Sequence, residues 1–263
     1  MTEELRSRQS APVRFFRDLA RNADFRRENG LYLCDGEKLL QEALRSDAEV
    51  CHVVWRDRRT DAYGTFEKEY LASSELFDYI SPMKNSPGPL FSVRMKPETA
   101  LSEPKRVLLL EEIQDPGNVG TILRTADAFN IDALVLLEGC ADVYAPKTVR
   151  ASMGAVFRQN VLRMTRADAV AACRAHGLPL FGAALSPRAQ DLRKLRLDRA
   201  AVAIGSEGHG LSEDLLRQCD GELIIPMSGE AESLNAGIAA AIVMWEMCRQ
   251  EEAPCRQCVT GSG

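Results

Sequence analysis

The 263-residue sequence has no long hydrophobic run, only three histidines and no paired set of cysteine motifs, and each lack removes a class of protein. The opening residues MTEELRSRQSAPVRFF hold no apolar signal core, and the most apolar later stretch, Ala236 to Trp245, is well short of the ~18 residues a membrane span needs. No membrane partner is expected, and the cytoplasm is the expected location. Eight cysteines, at 34, 51, 140, 173, 219, 248, 255 and 258, are scattered through apolar contexts without the density of a secreted disulfide scaffold, so reduced thiols are expected. Only Cys255-Arg-Gln-Cys258 has ligand-like spacing. With no second pair and no nearby histidine it reads as a flexible thiol-bearing tail over 251–263, and no metal is expected. The dinucleotide fingerprint G-x-G-x-x-G is missing as well, which excludes a nucleotide-dependent oxidoreductase.

What is present is a globular composition, 45% hydrophobic and 27% charged, enough to bury a large core in two domains of about 100 and 150 residues. The net charge of −5 argues at first against a nucleic-acid partner, since phosphate binding relies on clustered Lys and Arg. Distribution counts for more than the sum. Between Val143 and Arg166 stand Lys147, Arg150, Arg158, Arg163 and Arg166 with no acid among them, and a second cluster runs Arg14, Arg17, Arg21, Arg26, Arg27. Either cluster taken alone also reads as a solvated charged face.

Periodicity predicts a small α/β unit over residues 11 to 96: a helix through Phe15, Phe16 and Leu19, a strand at Leu31 to Cys34, a helix carrying Leu39, Leu40, Ala43 and Leu44, and a β-rich run from Val50 to Trp55. Pro82, Pro87, Pro89, Pro97 and Pro104 punctuate the stretch between residues 82 and 104, so a linker is expected over 97–104. Beyond it short apolar strands (Val107 to Leu110, Ala133 to Leu137, Leu178 to Ala183, Ala201 to Ile204, Leu223 to Ile225) alternate with helical stretches. That alternation predicts an α/β fold with a parallel sheet and helices on both faces.

Three loops at the ends of those strands carry the chemistry. In Asn118-Val-Gly-Thr-Ile-Leu-Arg124, Asn118 can cap a helix whose core face is Ile122, Ala126 and Phe129. Arg124 then points away from that core and leans back over Gly120 and Thr121, where helix-start amides favour an anion and Gly120 leaves room. Such a guanidinium suits bidentate contact with a phosphate. By itself it reads first as a surface arginine in a helix-terminal salt bridge with Glu111 or Glu112, and the other two motifs reverse that. In Gly205-Ser-Glu-Gly-His-Gly-Leu211 three glycines permit positive φ and close approach of backbone to a flat ligand. Glu207 can hold Arg124 or Asn118 in place, or is a solvent-facing loop acid; His209 is not expected to be the base. In the third loop, Ile225-Pro-Met-Ser-Gly229 runs on to Ser233-Leu-Asn235, where Ser233 is a credible N-cap of a helix with Leu234, Ile238, Ile242 and Trp245 along one face.

In this order, the three motifs resemble those of the SpoU (TrmH-type) family of the SPOUT superfamily over residues 105 to 250. The stretch Gly30-Leu-Tyr-Leu-Cys-Asp-Gly36 with the helix after it resembles the L30-like substrate-binding domain that precedes the catalytic domain in many members. The resemblance implies methylation of an RNA ribose 2'-hydroxyl with S-adenosyl-L-methionine, a deep C-terminal trefoil knot and a homodimer. It implies that Gly205, Ile225, Met227, Leu234 and Leu185 hold the cofactor, and that Arg124, Asn118, Glu207, Ser233 and Asn235 form the transfer site. Lys147, Arg150 and Ser152, in Tyr144-Ala-Pro-Lys-Thr-Val-Arg-Ala-Ser-Met-Gly154, then contact RNA phosphates, as do Arg14 and Arg17 from an RNA-binding domain over 1–96. The extra N-terminal domain favours 23S rRNA as the target; tRNA, and a catalytically silent RNA-binding or ribosome-assembly role, stay open.

Overall fold

The structure, a computed structural model, describes residues 2–228 and 233–249. Gly229 of the third motif, the expected tail 251–263 and Cys255 and Cys258 lie outside the described residues. The chain divides into two compact units, one made of residues 1–99, 114–127 and 140–159, the other of residues 100–113, 128–139 and 160–263.

The first unit opens with β1 (Thr2–Leu5), α1 (Ala11–Arg21) and α2 (Ala23–Asn29). Pro12 in the first turn of α1 sets its start, and Val13, Phe16 and Leu19 bury one stripe of it. Asn22 caps α2 through the amides of Asp24 and Phe25, and Gly30, at φ +61°, ends it. Then come β2 (Leu31–Asp35), α3 (Glu37–Arg45), β3 (Val50–Arg56), β4 (Lys68–Ala72), α4 (Ser74–Ile80) and β5 (Leu90–Arg94). The strands form one sheet in the order β1-β4-β3-β5-β2, parallel across β1/β4 and β4/β3 and antiparallel across β3/β5 and β5/β2. Leu44, named with the apolar residues of this helix, is 45% exposed, because α3 turns only Leu39, Leu40 and Ala43 inward. Two further helices complete the unit, α5 (Pro116–Ala128) and α6 (Pro146–Ser152).

The second unit is built on β6 (Arg106–Leu110), β7 (Ala133–Leu136), β8 (Val161–Arg163), β9 (Leu180–Ala183), β10 (Gln190–Asp191), β11 (Ala200–Ile204) and β12 (Gly221–Ile224), in the order β10-β12-β9-β11-β6-β7-β8. Every pairing in this sheet is parallel, as the alternation of strands and helices predicts. All residues of β6, β7 and β11 are buried, so both faces of the central strands are covered. On one face Val107, Leu109, Val135, Ala201 and Ala203 pack with Ala169, Val170 and Cys173 of α7 (Arg166–Ala175). The short α8 (Glu213–Leu216) follows β11, and α9 (Ala236–Arg249) packs against β11 through a core face that includes Ala240, Val243, Met244 and Met247. Ile238 and Trp245 lie on the exposed side of α9, so the apolar face named from the sequence is not its core face. No described helix is long and apolar enough to cross a membrane. The six described cysteines are free, and burial pushes the thiols of Cys173 and Cys219 up to about 11 and about 12, which leaves them un-ionised packing groups.

Candidate functional site

In the second sheet the chain runs from β9 out to the edge strand β10, returns to β11 on the other side of β9, then crosses back over β9 to reach β12. Because the strands are parallel, their carboxyl ends open together on one side, and the reversal of direction leaves a crevice there. A cavity of about 510 Å³ occupies that place. Its walls come from four segments: Ala183 to Ser186 after β9, Ile204 to Leu211 after β11, Leu223 to Ile225 with Met227 at β12, and Ser233, Leu234, Ala236 and Ala239 at the start of α9. Of the residues expected around a cofactor, Gly205, Ile225, Met227, Leu234 and Leu185 all line it, together with Glu207 and Ser233 from the expected transfer site.

The glycine loop after β11 closes on itself. Ser206 and Gly210 exchange backbone hydrogen bonds at 3.2 and 2.9 Å. Gly205 makes that closure possible: a Cβ there would stand 2.1 Å from the carbonyl carbon of Gly210 and 2.4 Å from the amide nitrogen of Leu211. The expectation of three permissive glycines divides accordingly. Only Gly210 has positive φ (+67°), Gly205 serves close approach, and Gly208 faces open space at an ordinary φ.

Beneath this loop lies a residue that the sequence motifs do not include. Glu111, 2% exposed just past β6, accepts hydrogen bonds from the Ser212 amide (2.7 Å) and hydroxyl (2.9 Å) and pairs with Arg166 at 2.9 Å from Nε and 2.8 Å from Nη2. Ser212 in turn caps α8 through the Leu215 amide. No sequence signal announces this, because the partners are distant along the chain. At the opposite rim Ser186 donates to Glu222, a buried carboxylate that Arg188 meets at 2.7 Å.

Two capping assignments are corrected. The cap of α9 is Asn235, whose side-chain oxygen accepts from the Gly237 (2.9 Å) and Ile238 (3.3 Å) amides, and not Ser233, which stands two residues earlier. The cap of α5 is Asp115 rather than Asn118. Its carboxylate accepts from the Gly117 (2.6 Å) and Asn118 (3.0 Å) amides, and Lys147 meets it at 3.1 Å. That ammonium first, and the two amides after it, hold the Asp115 carboxyl below the usual range. The signal for it was the Asp-Pro step, an N-cap residue before a proline at the first helical position.

Arg124 and Asn118 lie on α5, in the first unit. Arg124 is exposed, opposite the buried Ile122 and Ala126, and among the described residues it has no ion-pair partner. The amides at the start of α5 are already occupied by Asp115, and the space left by Gly120 is filled by α6, not by Arg124. A Cβ on Gly120 would lie 2.5 Å from Ala151 Cβ and 2.7 Å from the Thr148 carbonyl oxygen.

Of the residues expected to meet RNA, Arg14, Lys147 and Arg150 are exposed and Arg17 is half-buried, but Ser152 is fully buried and donates its hydroxyl to the Val149 carbonyl at 2.7 Å. Ser152 is therefore not an RNA contact. Neither basic cluster survives whole. Arg26 is buried against Asp142 at 2.5 Å, Arg158 meets Asp127 and Glu42, and Arg166 meets Glu111, so acids from elsewhere in the chain neutralise much of the acid-free run.

A parallel α/β domain with a half-apolar crevice at its strand ends, closed by a glycine turn, defines a ligand-binding domain of the doubly wound class. More narrowly, the chain belongs to the SpoU rRNA Methylase family, whose model matches residues 105–245. It is 34% identical over 224 residues to the 23S rRNA (guanosine(2553)-2'-O)-methyltransferase RlmP of Bacillus subtilis (strain 168), a match covering 84% of this chain and 90% of that protein. Among solved structures it is similar to the AdoMet-bound rRNA methyltransferase from Sinorhizobium meliloti (TM-score 0.82, 26% identity, covering 96% of this chain and 99% of that one). It is also similar to the SpoU methyltransferase AviRb from Streptomyces viridochromogenes in complex with AdoMet (TM-score 0.81, 28% identity, 92% and 98% covered).

Proposed function

We propose that this protein methylates a ribose 2'-hydroxyl of 23S rRNA with S-adenosyl-L-methionine as donor. The observation that carries the reading is the single cavity into which the second and third motif loops both open. Its size falls in the range of small-molecule sites, about 300–1,000 Å³. Ile204, Ile225, Leu223 and Leu234 give it apolar walls suited to a flat base, while Ser186, Ser206 and Ser233 offer hydroxyls, so the residues present fit the donor. Bound there, S-adenosylmethionine supplies a methyl group made electrophilic by its sulfonium. Gly205, Ile225, Met227, Leu234 and Leu185 hold its adenosine.

Methyl transfer needs the hydroxyl aligned with the donor and a route for its proton, so orientation supplies much of the rate. Arg124 takes that part, clamping the neighbouring RNA phosphate and polarising the 2'-hydroxyl. With a pKa above about 12 it is no free base, and the proton passes to a phosphate oxygen or water. Asn118, Glu207, Ser233 and Asn235 position these groups, and the cap that Asn235 forms fixes the start of α9 beside Leu234. Arg14, Arg17, Lys147 and Arg150 contact phosphates.

In the same reading residues 1–96 are the L30-like RNA-binding domain, 97–104 a linker and 105–250 the methyltransferase domain with its trefoil knot; family membership supports this. Exposed Ile238 and Trp245 on α9 support a homodimer, and free cysteines support a cytoplasmic location. The similarity to the Bacillus subtilis enzyme extends over most of the chain and favours rRNA over tRNA. The test is transfer of a labelled methyl group from S-adenosylmethionine to unmodified 23S rRNA and to tRNA transcripts, with the site mapped by resistance to alkaline hydrolysis. Label in 23S rRNA at a 2'-oxygen is expected. Label in tRNA alone refutes the target, and label in neither refutes the activity.

A further inference from the structure

The chain leaves β9 through Ala184 and Leu185 and turns at Ser186-Pro187-Arg188-Ala189, a tight turn closed by the Ala189 amide on the Ser186 carbonyl at 3.1 Å. Serine at the first position of such a turn and proline at the second, where its fixed φ suits, are the residues the geometry favours. The main chain thus holds Ser186 in place. Its side chain is one of three hydroxyls that line the cavity, with those of Ser206 and Ser233.

The three hydroxyls differ in what they can offer. Each has one proton to give and two lone pairs to receive. Ser186 gives its proton to Glu222 of β12, and because a carboxylate only accepts, the direction of that bond is fixed. The Ser186 oxygen accepts from the Arg188 amide at 3.2 Å, which leaves one lone pair. Ser206 accepts from the His209 amide at 3.3 Å, but among the described residues neither it nor Ser233 donates to a protein acceptor, so those two hydroxyls can turn to suit a ligand.

Glu222 is 8% exposed, and the Arg188 guanidinium meets its other oxygen at 2.7 Å. Burial of a carboxylate is unfavourable unless its oxygens are hydrogen-bonded, and here the two partners, Ser186 and Arg188, come from the same turn. The acid therefore ties that turn to β12, the neighbour of β9, and sets the polarity of a hydroxyl on the cavity wall.

Resting on the methyltransferase reading, we propose that Ser186 is a specificity-determining residue for the methyl donor, accepting a hydrogen bond from an N–H or O–H of its nucleoside, and that Glu222, with Arg188, is the positioning group that makes Ser186 an acceptor. The nucleoside of S-adenosylmethionine carries such donors on its 6-amino group and its 2'- and 3'-hydroxyls. An acceptor of fixed polarity discriminates more sharply than a hydroxyl free to turn, because a ligand without the matching donor leaves it desolvated and unmatched.

The test measures binding to the full chain by calorimetry, independently of methyl transfer, for S-adenosylmethionine and for three analogues lacking the 6-amino group, the 2'-hydroxyl or the 3'-hydroxyl. Ser186→Ala is expected to weaken binding of the complete donor about fivefold, the scale of one hydrogen bond. For one of the analogues the parent and Ser186→Ala are expected to agree within about twofold, and that analogue names the group Ser186 meets. A role in shape alone would lower all four affinities together. Glu222→Gln, whose amide can offer Ser186 an N–H and release the serine proton, is expected to narrow the parent's preference for the complete donor over that same analogue. An equal loss across all four ligands in Ser186→Ala, or no loss with the complete donor, overturns the assignment of Ser186. The parent's full preference retained in Glu222→Gln overturns the positioning role of the acid. A parent chain that binds no S-adenosylmethionine overturns the methyltransferase reading itself.

Discussion

The carboxylate of Glu111 holds Ser212 by both its amide and its hydroxyl, at 2.7 and 2.9 Å, and so ties the end of β6 to the far side of the glycine turn that walls the cavity. Arg166 closes the pair from α7. Removing the carboxylate leaves the Ser212 amide without its acceptor and the partly buried Arg166 guanidinium with Asp214 at 3.9 Å, a loss of about 2 kcal/mol. Glu111→Ala is therefore expected to lower the urea midpoint and to weaken S-adenosylmethionine binding by about tenfold or more in calorimetry. Glu111→Gln, which keeps one acceptor, should fall between the two. Wild-type donor affinity in Glu111→Ala would show that the turn holds its shape without this anchor.

The glycine turn offers a sharper comparison within four residues. A methyl group at Gly205 meets Gly210 backbone at 2.1 Å, an overlap that only movement of the main chain relieves, whereas a methyl group at Gly208 meets nothing within 4 Å. Gly205→Ala is expected to abolish measurable donor binding, at a cost of at least about 1–3 kcal/mol of strain. Gly208→Ala is expected to bind within about twofold of the parent, since its backbone angle is ordinary. Equal behaviour of the two variants in equilibrium dialysis would remove the close-approach argument.

These details mark where the sequence was legible and where it was not. The parallel sheet could be read because β6, β7 and β11 are buried on both faces and so appear as unbroken apolar runs. The three-residue β8 and two-residue β10 are too short to show a period. In the first unit β5 was hidden among the prolines between residues 82 and 104, which read as punctuation. At the site, Gly205, Ile225 and Leu234 line one cavity, and their meeting could be anticipated because their loops carry the motifs on which the family resemblance rests. Glu111 was not, because its partners lie 55 and 101 residues away. Ser152 was misread for the same reason: its burial is set by packing that no local pattern of charge reports.

Arg124 separates the roles of binding and chemistry. It is exposed on α5 and makes no ion pair among the described residues, so its replacement removes no internal contact of that kind. Arg124→Ala is expected to fold with the stability of the parent, to bind S-adenosylmethionine within about twofold, and to lose roughly a hundredfold or more in kcat, the scale of removing one oriented charge-stabilising donor. Arg124→Lys should recover little, because an ammonium lacks the planar fork. Full single-turnover activity in Arg124→Ala would refute the proposed role.

Acid titration probes the first unit independently of function. Glu69 on β4 is buried and accepts from Arg59 Nε at 2.7 Å, Trp55 Nε1 at 2.9 Å and the Phe66 amide at 3.2 Å. The Arg59 contact foremost holds its carboxyl at about 2, against an ordinary 4.5. In the unfolded chain the group takes up its proton near pH 4.5, and in the folded chain only near pH 2. Its contribution is thus complete above the unfolded value and is lost as pH falls from 4.5 towards 2. Once solvent screening is allowed for, about 1 kcal/mol is at stake. Urea unfolding is expected to show Glu69→Gln less stable than the parent at pH 7 and the gap narrowing steadily below pH 4.5. A gap that stays constant down to pH 3 would mean that the carboxylate charge contributes nothing, and that the loss in the variant is one of packing.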